Sequence, residues 1–141
     1  MKLNRGNKGF TLVELMLVVI IIGILVAMVV PRLAGRAEQA RTAAAQADIE
    51  ANISSALDLY ELDTGSYPTT EQSLDALLKE PSGVSNWRGP YLKKRPIDPW
   101  GNVYQYRSPA VHGVDYDLYS MGKDGQEGGD DDVNNWEEES D

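Results

Sequence analysis

The sequence predicts an α+β fold: a long N-terminal helix, transmembrane in its first half and amphipathic in its second, packed against a small antiparallel sheet and followed by a C-terminal loop rich in glycine and acid. Three observations carry this. Phe10 to Val30 is an apolar run of 21 residues in which Glu14 is the one charged side chain. Ala37 to Leu62 is alanine-rich and places Ile49, Ile53, Leu57 and Tyr60 at spacings of 4, 4 and 3, the stripe of a helix with one face on a core. Beyond Gly65, short aromatic and β-branched runs alternate with Gly, Pro, Asn and Asp, the punctuation of turns and short strands.

The apolar run comes first. At about 1.5 Å rise per residue, 21 residues cross a hydrocarbon core of about 30 Å. The leader before it carries Lys2, Arg5 and Lys8 and no acid, which keeps it cytoplasmic and sends the chain after Val30 across the membrane. The run is longer than the apolar region of a secretory signal and meets Val30-Pro31-Arg32 instead of a small-residue site, so cleavage on the far side is not expected. The chain therefore divides into a leader at 1–9, a transmembrane and assembly helix at 10–30, and an exported domain at 31–141. Glu14 inside lipid costs roughly 2.5 to 3.5 kcal/mol unless neutralised, which marks it as functional. Pro31 removes an amide donor and crowds the carbonyl of Ala27, so a kink or unwinding is expected there. Gly23 and Ala27 form a small-xxx-small pair that lets another helix come close.

The helix stops at Asp63-Thr64-Gly65, where glycine can take a positive φ. Tyr67 to Gln72 opens a second short helix, with Thr69 and Gln72 spaced as a capping box ahead of Leu74, Leu77 and Leu78, and Pro81 and Gly83 closing it. Val103 to Tyr106 and Tyr116 to Tyr119 read as strands. The three tryptophans and most tyrosines are candidates for the helix–sheet interface.

Charge and composition exclude several functions. From Asp124 to Asp141 there are nine acids and no base, equal to the net charge of −9 of the whole chain, so the remainder balances. Such a surface argues against nucleic acid or anionic lipid as partner of the exported domain. No cysteine is present, so no disulfide staples the domain. His112 is the one histidine and reads as a solvated turn residue; no catalytic triad, histidine zinc cluster or P-loop can be assembled, and no enzyme is expected. Glycines at 122, 125, 128 and 129 with acids at 124, 127, 130, 131 and 132 leave two readings open, a solvated acidic loop or a cage of hard oxygens suited to calcium. The order does not fit an EF-hand.

Lys8-Gly9-Phe10-Thr11-Leu12-Val13-Glu14-Leu15 resembles the prepilin-type leader junction shared by type IV pilins and the pseudopilins of type II secretion systems. That resemblance implies cleavage between Gly9 and Phe10 by a prepilin peptidase, N-methylation of Phe10, and pairing of Glu14 with the terminal amine of a neighbouring subunit. The chemistry agrees, because a free α-amine is largely cationic at neutral pH and an opposite charge nearby offsets the cost of desolvating the acid. An ordinary anchor with a snorkelling acid is the alternative, although it has no use for an acid inside its apolar run.

Further along, Gly65 to Gln72, Gly89 to Lys94, Asp98 to Asn102 and Gly122 to Gly129 follow one another in a succession similar to the major, G-type pseudopilins of type II secretion. Val103, where relatives often have proline, and the crowded Asp130-Asp131-Asp132 depart from that pattern. The resemblance implies a pilin-like fold and a homo-oligomeric helical filament in the periplasm, anchored in the inner membrane, that supports export of folded proteins across the outer membrane. It implies minor pseudopilins and an inner-membrane assembly platform as partners. A type IV pilin for adhesion or motility and a minor pseudopilin at a filament tip are the alternatives. For the C-terminal loop it implies calcium, held by Asp124 and Asp132 with the carbonyls of Met121 and Gln126, and with Asp131 a close competitor of Asp132. Calcium would then replace the absent disulfide as the staple of the loop.

Overall fold

The computed structural model describes residues 9–136; most of the leader, 1–8, and the end of the acidic tail, 137–141, lie outside the described residues. Two compact units are resolved, one ending at Glu38 and the other starting at Gln39.

In the first unit, helix α1 (Leu12–Ala47) begins just after Thr11. Its stretch Leu12–Val29 has a mean hydropathy of 3.1, and none of it is buried by the rest of the chain. Ile21, the least exposed of its large apolar side chains, is still 48 % exposed. A helix apolar on all sides and covered on none is stable only in lipid or among other helices. The unwinding expected at Pro31 is not seen, since α1 runs through that residue as helix. One proline removes a single i→i−4 bond, and the flanking bonds keep the helix continuous.

In the second unit, α1 passes into a π-helical turn (Asp48–Ile53) and then α2 (Ser54–Thr64). No expectation from the sequence covers the π turn, yet the stripe explains it. Residues spaced by four drift by about 40° per step around an α-helix of 3.6 residues per turn. A wider turn cancels that drift and keeps Ala45, Ile49, Ile53 and Leu57 on one side, where all four are buried. The Ser54 hydroxyl donates to the Ile49 carbonyl at 2.6 Å, five residues back, as the wide turn allows. Helix α2 ends as expected, with Gly65 at φ 88° donating its amide to the Glu61 carbonyl at 2.7 Å.

The second predicted helix is corrected. Its capping box forms, with the Thr69 amide on Gln72 Oε1 at 2.9 Å and the Gln72 amide on Thr69 Oγ1 at 3.3 Å. The box leads into a turn and then a 3₁₀ turn (Leu74–Leu77), because Ser73 sits at φ 51° and interrupts the helix. Leu74 and Leu77 still reach the core.

The sheet is antiparallel, ordered β1 (Gln105–Arg107), β2 (Asp117–Ser120) and β3 (Val133–Asn134). Val103 lies outside β1 and makes a single bridge to Ile97, and β3 escapes prediction because two residues carry no periodicity. Leu118, Val133, Tyr104 and Tyr116 pack with the helical stripe into one core. Tyr104 donates to Asp48 Oδ2 at 3.1 Å and Tyr116 to Ser54 Oγ at 3.0 Å, so both tyrosines join the sheet side to the wide turn. Trp87 and Trp100 line the core edge, whereas Trp136 stacks on His112 with ring centroids 4.8 Å apart.

Candidate functional site

At the helix start, Gly9 and Phe10 are exposed, Phe10 at 84 %. Glu14 is engaged within its own chain. Its Oε2 accepts the Thr11 amide at 3.0 Å and the Thr11 hydroxyl at 3.1 Å, while the Glu14 amide donates to Thr11 Oγ1 at 3.2 Å. This is a capping box closing the first turn of α1. Its signature, Thr11-x-x-Glu14, stands in the sequence, but the pilin resemblance assigns the acid wholly to a neighbouring subunit. Glu14 Oε1 takes no part in these bonds.

The loop between β2 and β3 is built on a buried frame. Asp98 Oδ1 accepts the amides of Trp100 and Asn102 at 3.0 and 2.8 Å, and its Oδ2 accepts the Ser120 hydroxyl at 2.5 Å. The Gly122 amide then donates to Ser120 Oγ at 3.2 Å, and the Asn102 side chain to the Gly122 carbonyl at 3.3 Å. Asp98-Pro99-Trp100-Gly101-Asn102, legible in the sequence only as a turn, is thus what the loop stands on. Gly122 holds φ 58°, and a methyl group there would collide with the Asp131 carbonyl, so glycine is required.

Three acids share one pattern. Asp124 Oδ1 accepts the Gln126 amide at 2.9 Å; Asp131 Oδ2 accepts the amides of Lys123 and Asp124 at 2.7 and 3.0 Å; Asp132 Oδ2 accepts the Gly128 amide at 2.8 Å. Each carboxylate spends one oxygen on the loop backbone and has one left over. A methyl group built on Gly129 would lie 2.8 Å from Asp131 Oδ1 and 3.3 Å from Asp124 Oδ2, so these two spare oxygens flank the same glycine. Asp132 Oδ1 is buried and has no hydrogen-bond partner. Burial pushes the Asp132 carboxyl above its usual range, and the charges of Asp131, Asp124 and Glu127 add to this. Asp131 moves the other way, lowered first by the Asp124 amide.

An orphaned buried carboxylate oxygen, in a loop that holds further spare carboxylate oxygens, fits a hard cation. Among the described residues no three acidic or histidine side chains already converge as a metal-ligating group, so a cation here would also draw on main-chain carbonyls. Met121 offers one, which now accepts the Gly125 amide at 3.1 Å. Gln126 is exposed beside Asp124, and Asp130 is exposed and enters none of these bonds. Of the predicted set, Asp124 and Asp131 each place an oxygen beside Gly129 and Asp132 takes the Gly128 amide in the same loop, while Gly9, Phe10 and Glu14 belong to the other unit.

One buried acid is invisible to sequence reasoning. Asp117 is fully buried and accepts the amides of Val111, His112 and Gly113 at 2.8 to 3.2 Å, with His112 Nδ1 3.2 Å from its Oδ2. Burial alone would raise its pKa, but these hydrogen bonds outweigh burial and hold it below the ordinary carboxylate range. The stretch lacks any signal for this, because a carboxylate inside a strand is recognised only once the loop folds over it.

Comparison with known proteins decides the family. A profile described as "Prokaryotic N-terminal methylation motif" matches residues 4–30, and one described as "Type II secretion system (T2SS), protein G" matches residues 32–136. The chain belongs to the type II secretion system protein G family. Among relatives of that family, "Type II secretion system core protein G" of Pseudomonas aeruginosa is 51 % identical over 141 residues, covering 95 % of this chain and 98 % of the relative. The protein of the same description from Vibrio cholerae is 49 % identical, with 96 % of both chains covered. The crystal structure of the major pseudopilin from the type 2 secretion system of enterohaemorrhagic Escherichia coli superposes with a TM-score of 0.67 at 39 % identity, covering 74 % of this chain and 89 % of that one. The pilin-like α+β fold of this protein G family member is therefore established, and its structure is similar to that of a major pseudopilin.

Proposed function

We propose that this protein G family member is a structural subunit, not an enzyme, of the type II secretion pseudopilus. It is made with the leader 1–9 and anchored by 10–30 in the inner membrane, with 31–141 in the periplasm. A prepilin peptidase cleaves between Gly9 and Phe10, Phe10 is N-methylated, and the subunit polymerises with its own kind alongside minor pseudopilins on a membrane platform. The observation that carries this is a membrane-length helix, exposed on every side in the single chain, with an acid five residues into its expected mature sequence. The Glu14 Oε1 atom is free to meet the Phe10 amine of the next subunit, and that contact would set the register. Mass spectrometry of the mature N-terminus tests the processing: a methylated Phe10 is expected, and an intact Met1 would remove the reading.

Calcium at the C-terminal loop is the second part. Asp124 and Asp132, with Asp131 and the carbonyls of Met121 and Gln126, would hold it. When bound, the ion supplies the positive charge that the clustered carboxylates lack. The orphaned Asp132 Oδ1 supports this reading.

A further inference from the structure

Glu127 lies inside the loop, between Gln126 and Gly128, yet its carboxylate turns to the sheet. Its Oε1 is 3.6 Å from the Arg107 guanidinium, and its charge reaches Tyr119 on the same sheet. Arg107 stands opposite Asp117 in the β1–β2 register, and Gln105 opposite Tyr119, so Arg107 and Tyr119 are diagonal neighbours on one sheet face. A strand-borne cation thus holds a loop acid that accepts no bond from the loop's own backbone. The next residue, Gly128, donates the amide that orients Asp132.

We propose that Arg107 is a positioning residue for the cation site. By holding Glu127 against the sheet it keeps the arch of Gly128 and Gly129, and hence Asp132, in the shape that receives the metal. The inference rests on the proposed calcium site and names a residue outside the ligand set. Plain electrostatics gives the opposite expectation. If charge alone counted, Arg107→Gln would tighten calcium binding by removing a repelling cation, and Glu127→Gln would weaken it. If the pair positions the arch, both substitutions weaken binding, and the double variant is no worse than either single one, because both act through one contact.

Calcium titration of the full chain in detergent by calorimetry, with hydrogen exchange at the Lys123, Asp124 and Gly128 amides in the metal-free protein, separates these. Arg107→Gln and Glu127→Gln should each weaken binding about two- to five-fold, the range of a half-exposed ion pair, and both should speed exchange before any metal is added. Opposite signs for the two variants, or unchanged exchange, overturn the positioning role and leave the calcium site standing. A wild-type chain that takes up no calcium overturns the site and this role together.

Discussion

Thr11 and Glu14 cap each other at the start of the membrane-length helix, the backbone amide and hydroxyl of Thr11 on Glu14 Oε2 and the Glu14 amide on Thr11 Oγ1. The acid that the proposed assembly gives to a neighbour's amine thus already satisfies two donors at its own helix start. Part of the cost of placing it in lipid is met locally, and the remaining oxygen can face a second chain.

Two substitutions separate those duties. Glu14→Gln keeps an acceptor for Thr11 and loses the charge, whereas Glu14→Ala loses both. Breaking a buried ion pair costs about 3–5 kcal/mol, so each variant should lower filament yield by about a hundredfold or more. Yield of sheared, pelleted filaments measures this. Wild-type yield from Glu14→Gln would reduce Glu14 to a cap.

Emptying the proposed calcium site should loosen the second unit. At free calcium about a hundredfold above Kd, binding adds about 2.7 kcal/mol, or about 10 °C or more in Tm for a domain of this size. Chelator should erase that gain, and Asp124→Ala should make the protein indifferent to chelator. Superimposable melting curves with and without calcium in the wild type would count against the site.

Asp117 sets a pH dependence whose sign comes from its lowered pKa. A carboxyl with a folded value below its unfolded value, about 3.9, stabilises fully above that pH and loses the contribution as pH falls through the folded value. Asp117→Asn presents an NH₂ group to buried amide donors and should cost about 1–3 kcal/mol at neutral pH. The gap to wild type in denaturant midpoints should shrink below about pH 4. A gap that persists unchanged in strong acid would mean that shape, not charge, is what Asp117 contributes.

The stripe on the helix can be checked by neighbours. Leu57 is fully buried and Leu59 is 52 % exposed. Leu57→Ala should destabilise the domain by about 2–5 kcal/mol, while Leu59→Ala stays within about 0.5 kcal/mol in the unassembled subunit. Urea unfolding of the two variants side by side gives the comparison.

What the sequence by itself determined is whatever depends on local order along the chain. The apolar run with its one acid, the stripe Ile49, Ile53, Leu57 and Tyr60, the stop at Gly65 and the Thr69–Gln72 box are set by spacing, and spacing is visible in one dimension. Glycines and acids around 122–132 announced a loop with hard oxygens, as composition alone can do. Tertiary structure decided the π turn, which forms because four buried residues spaced by four must face one core. It also decided the frame from Asp98 through Ser120 to Gly122, the burial of Asp117, and the turn of Glu127 toward Arg107. Each of these joins residues far apart in the chain, or rests on which side chain is buried, and neither property exists until the sheet closes over the helix.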